Sequence, residues 1–73
     1  MLKIFKVMQM SDGGPNDRGT LIAFELAKSE KELKEKYKNG FLDFDEISKE
    51  NYLQKKKYAE QGLEMFNLDL TKL

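Results

Sequence analysis

Four acidic side chains, Asp43, Asp45, Glu46 and Glu50, fall within one short segment and form the densest set of ligating or proton-transferring groups in the chain. Carboxylates grouped in this way can hold a magnesium ion, work as an acid/base pair, or dock a basic groove on another protein. The same residue types are drawn to helix N-termini, where unpaired amides and the macrodipole favour negative charge. That structural role accounts for Asp45, Glu46 and Glu50 without further assumption. Docking through Asp43, Asp45 and Glu46 is the next reading.

A second candidate lies in 11–19, where Asp12, Asn16 and Asp17 supply oxygen ligands among Gly13, Gly14, Pro15 and Gly19. A calcium loop needs carboxylates at roughly alternating positions and a closing bidentate Glu, and neither condition is met. A phosphate-binding loop needs G-x-x-x-x-G-K-[ST], which is also missing. The segment therefore reads as an exposed loop, with partner contact through Asp12, Asn16, Asp17 and Arg18 as its functional alternative. The third candidate is Lys55-Lys56-Lys57, flanked by Tyr52 and Tyr58. Lysines beside aromatics are the ingredients of single-stranded nucleic-acid binding. Successive helix positions turn by about 100°, however, so such a run also fans around an ordinary solvated helix.

The 73 residues include no histidine and no cysteine. Thiol chemistry, a Ser-His-Asp triad, and zinc, haem or iron–sulfur ligation through these residues are excluded. No cofactor and no metal is implied, and a non-enzymatic chain is expected. The 13 basic and 13 acidic residues cancel, so no global field steers a polyanion. Arg18 is the only arginine, which weakens base or phosphate recognition further. No apolar run approaches the roughly 20 residues of a membrane span, so no membrane partner is expected. The N-terminus lacks the pattern of a signal peptide, and the cytoplasm is the default location.

The elements that must position these groups follow from periodicity. Residues 2–10 read as a strand with Ile4, Met8 and Met10 on one face and Phe5 and Val7 on the other, hence covered on both sides for part of its length. Residues 20–27 read as a second strand, with Ile22, Phe24 and Leu26 on one face, closing a long-looped antiparallel hairpin. Ser29 and Glu32 make a capping box for a first helix, supported by Glu30–Lys34 and Glu32–Lys36 pairs and stopped at Asn39-Gly40. Residues 41–44 read as a short strand or a buried connector. Ser48 caps a second helix from about 49 to 61, with Tyr52, Ala59, Leu63 and Phe66 on its inner face. Phe66, Leu68 and Leu70 alternate with polar residues, the period of a C-terminal strand from about 65 to 70.

The expectation is a single α+β domain over 1–73, an antiparallel β-hairpin plus two helices and a C-terminal strand in the order ββααβ. Its function is expected to be that of a small protein-binding module, an inhibitor or modulator that occupies the surface of one soluble partner protein. Inhibitors carried by phages and mobile elements against host systems have this scale. The alternative is a nucleic-acid-binding regulator using Tyr52, Lys55, Lys56, Lys57 and Tyr58. A homodimer is also open to a domain this short.

Overall fold

The computed structural model describes residues 1–11, 15, 19–38 and 40–73. Strand β1 (Lys3–Gln9) pairs antiparallel with β2 (Thr20–Ala27) on one side and with β3 (Leu42–Ile47) on the other. The sheet order is therefore β2-β1-β3, with helix α1 (Glu30–Lys36) connecting β2 to β3. Helix α2 (Lys49–Tyr58) follows β3, and two 3-10 turns, Leu63–Met65 and Leu70–Lys72, complete the chain. The α+β class, the hairpin and the two helices are those expected.

The central strand carries apolar side chains on both faces, and each face has its own cover. Phe5 and Val7 pack with Ala27, Phe44 and Leu33 of α1. Ile4, on the opposite face, packs with Phe24, Tyr52 of α2 and Phe66. Phe24, Tyr52 and Phe66 are in mutual ring contact, with centroids 4.8–5.6 Å apart. Such contacts add to the burial of each ring.

The third strand is 42–47, not 65–70, so the order is ββαβα rather than ββααβ. Burial of Phe66, Leu68 and Leu70 does alternate with exposure of Asn67 and Asp69. That alternation comes from packing on the Phe24–Tyr52 cluster, and the Tyr52 hydroxyl accepts from the Leu68 amide at 3.3 Å. No ladder forms there, because Asp69 instead caps the final turn by accepting from the Thr71 amide. Hydrogen bonds from the Thr71 hydroxyl and amide hold the Asp69 carboxyl below its usual range.

Expected boundaries shift where tertiary contacts outweigh local signals. Helix α1 ends at Lys36 rather than at Asn39-Gly40, since Tyr37 leaves helical geometry and donates its hydroxyl to Glu25. Asn39 lies outside the described residues. Helix α2 ends at Tyr58 rather than 61, with Ala59 extended and packed against the Tyr52 cluster. Gly62 does not stop α2; at φ 67° it opens the next turn, where a Cβ would stand 2.6 Å from Met65 Cε. Ile22 does not join Phe24 and Leu26 on the inner face. The register slips between Val7 and Met8, so Leu21 faces Met8, and Ile22 is the extra residue, 38% exposed.

The two N-caps form as their sequences specify. Ser48 Oγ accepts from the Asn51 amide at 3.0 Å, and Ser29 Oγ accepts from the Glu32 amide at 3.4 Å. Because the Ser48 bond serves an otherwise orphaned helix donor, Ser48→Ala is expected to destabilise the fold by about 1 kcal/mol. Lys55 is exposed and makes no ion pair among the described residues, so Lys55→Ala is expected to leave stability almost unchanged. Denaturant unfolding of the two variants checks this; the reverse ranking would mean that α2 starts elsewhere.

Candidate functional site

The acidic segment does not sit at a helix N-terminus. Asp43, Asp45 and Glu46 lie in strand β3, and only Glu50 falls in the first turn of α2. The macrodipole therefore accounts for Glu50 alone. Nor do the three strand acids share one face. Asp43 stands opposite Met8 and Asp45 opposite Lys6, whereas Glu46 stands opposite Phe5 and points to the α1 side. There Glu46 pairs with Lys3 at 3.6 Å. Asp43 and Asp45 are exposed and have no lysine or arginine within ion-pair distance among the described residues.

One polar contact fixes Asp43: its carboxylate accepts from the Phe44 amide at 3.1 Å. The main-chain geometry explains that contact. The Met10 amide donates to the Phe41 carbonyl at 2.8 Å, so even-numbered residues of β1 turn their backbone groups towards β3. By the antiparallel alternation, Asp43, Asp45 and Ile47 exchange bonds with β1, while Leu42, Phe44 and Glu46 turn theirs outward. Asp43 thus covers one outward donor of an otherwise unpaired edge. The Met10–Phe41 bond also holds Phe41 at the base of the 11–19 loop, where it is 54% exposed. Met10, Phe41 and Asp43 accordingly gather at the loop end of the sheet. Asp12, Asn16, Asp17 and Arg18 lie outside the described residues.

The lysine candidate is changed by the position of one residue. Tyr52 is fully buried in the core and is not available to stack on a base. Lys55, Lys56 and Lys57 are exposed on α2 and make no ion pair among the described residues, and Tyr58 is 69% exposed with Lys57 Nζ 5.6 Å from its ring centroid. A nucleic-acid surface here consists of lysines and one tyrosine, not two.

A titratable cluster that the residue types alone did not reveal joins Glu25, Lys36 and Tyr37. Glu25 accepts from Lys36 Nζ at 3.0 and 3.2 Å and from the Tyr37 hydroxyl. Its parity with Ala23 and Ala27 in β2 was the available signal, since it places an acid on the face that α1 covers. Lys36 is thereby drawn to Glu25 instead of Glu32, whereas Lys34 does pair with Glu30 at 3.8 Å. Burial, and then the hydrogen bond and charge of Glu25, push the Tyr37 hydroxyl up from 10.0 to about 12. A phenol held protonated in this way is a poor general base, and the cluster ties α1 to β2.

An open groove of about 280 Å³ lies at the other end of β1 and β3, between Leu2, Ile4, Ile47 and Leu73 with Lys3, Glu46 and Lys49 at its rim. It does not adjoin Phe41, Asp43 or Asp45. Among the described residues no group of three or more acidic side chains is arranged to hold a metal ion, and no helix is long and apolar enough to cross a membrane.

The Tyr37 tie has a signed pH dependence. Its folded pKa lies above the unfolded value, so its contribution is whole below pH 10 and is lost as pH rises towards about 12. Alkaline titration is expected to release α1 over that window, read as tyrosinate absorbance together with faster amide exchange in α1. Tyr37→Phe should remove that tyrosinate step; an unchanged titration would mean that Tyr37 does not make the tie. Compared with known proteins, the chain matches no family model, no curated protein and no solved structure.

Proposed function

We propose that this chain is a non-enzymatic protein-binding module, an inhibitor or modulator that works by occupying the surface of one soluble protein partner. The observation that carries the reading is the juxtaposition of two exposed carboxylates, Asp43 and Asp45, which make no ion pair among the described residues, with the exposed ring of Phe41 just before strand β3. An exposed aromatic beside unpaired charge is the composition of a contact surface, because the ring supplies apolar area and the charges select the partner. Several other polar groups serve the fold. Glu25, Lys36 and Tyr37 satisfy one another, Glu46 pairs with Lys3, and no buried side-chain polar atom among the described residues lacks a partner. Asp12, Asn16, Asp17 and Arg18, in the segment between β1 and β2, belong to the proposed contact set by their residue types, and they lie outside the described residues. The chain's scale suits a phage or mobile-element protein directed at a host system in the cytoplasm.

A second reading, a nucleic-acid-binding regulator, is favoured by the unpaired Lys55, Lys56 and Lys57 beside exposed Tyr58. The two readings use different surfaces and separate in one experiment. Tagged protein is used to capture partners from lysate, with and without nuclease, alongside a Phe41→Ala/Asp43→Asn/Asp45→Asn variant. A discrete protein that survives nuclease treatment and is lost with the variant is the expected result. Recovery that disappears with nuclease and with salt, yet persists in the variant, would put the lysine surface first.

A further inference from the structure

We infer that the partner engages this chain by adding an extended, basic strand to the free edge of β3. The inference rests on the protein-binding reading and specifies its docking mode. A three-stranded sheet of order β2-β1-β3 has two edges, and they are not equivalent. On β2 the register with β1 shifts at Ile22, and the Leu63–Met65 turn contacts the strand. Strand β3 pairs in continuous register from Leu42 to Ile47, and its outward backbone groups belong to Leu42, Phe44 and Glu46. Among the described residues no strand lies beyond it.

The side chains of β3 say what kind of strand fits. An added strand sets its residues directly opposite those of β3, and opposite charges across such a pair are favourable. Asp43 and Asp45 stand on one face and Glu46 on the other. A matching segment carries lysine or arginine at alternate positions on the first face. Self-pairing of β3 is disfavoured in the two central antiparallel registers, because centring on Phe44 sets Asp43 against Asp45 and centring on Asp45 sets it against its own copy. The Asp43 carboxylate already accepts from the outward Phe44 amide, the position that a partner's carbonyl would take. Binding moves that carboxylate from the amide to a cation on the incoming strand, so the edge stays capped until it is used.

Amide NMR titration with a short acetylated and amidated peptide of alternating lysine and valine tests the mode. Shifts and slowed exchange are expected at Leu42, Phe44 and Glu46, with no effect from a glutamate-valine counterpart. Asp43→Asn/Asp45→Asn is expected to weaken binding about fivefold while retaining an acceptor for the Phe44 amide. The same peptide methylated on its backbone amides should lose binding at least tenfold, because it keeps the charge and loses the main-chain donors. Equal binding of the methylated peptide, shifts on β2 or α2, or no response to any peptide would overturn strand addition. None of those outcomes bears on whether a protein is captured from lysate, so the functional reading stands or falls separately.

Discussion

The structure depends on β1 being apolar on both faces. Ile4 faces one layer and Phe5 and Val7 the other, and all three are almost wholly removed from solvent. Complete burial of such a side chain is worth about 1.5–3 kcal/mol, so this one strand anchors both cores. It also carries every hydrogen bond that joins the sheet, since β2 and β3 pair with β1 and not with each other. A short chain gains three layers in this way. It does so with cover that is thin: Leu33 is the only buried residue of α1, and Tyr52 the only one of α2.

Thin cover explains why polar ties matter here. With one buried side chain, α1 owes its placement to the Glu25–Tyr37–Lys36 cluster as well as to Leu33. On α2 the Ser48 cap and the Tyr52–Phe24–Phe66 contacts take the same role. The charges bound up in such ties are unavailable for recognition. Among the charges that remain, Asp43 and Asp45 lie on β3 and Lys55, Lys56 and Lys57 on α2. A net charge of zero describes only the sum of the charges. Within a Debye length of about 8 Å at physiological salt, the local excess at each surface governs its contacts.

Much of this was legible in the sequence. Two-sided apolar character in 2–10 anticipated a strand covered on both faces, and Ser29 and Ser48 marked both helix starts because caps are local chemistry. The third strand was less legible. Asp43, Asp45 and Glu46 dilute its alternation to Leu42 and Phe44 on one face, and strand formation there depends on β1 supplying a partner. Phe66, Leu68 and Leu70 misled for the converse reason, since alternating burial needs a neighbouring surface but no ladder. The Glu25 tie required knowing that α1 crosses over β2, a tertiary fact. Tyr52 illustrates the same limit within the candidate sites: its helical spacing from Ala59 marks it as core, while its distance from Lys55 in sequence had grouped it with the lysines.

An acid on an edge strand serves two ends with one physical property. Repulsion between like charges keeps copies of β3 apart, and attraction to unlike charges selects what is admitted. The capped Phe44 amide sharpens this selection, because a neutral strand would have to displace a carboxylate from a hydrogen bond and offer it nothing in return. A basic strand offers it a cation. At the other edge the extra residue at Ile22 interrupts the β1–β2 register at one position. On the proposed docking mode, the two edges of the sheet differ in charge and in regularity. That difference between the edges, and not the count of acids and lysines, is what the proposed docking mode rests on.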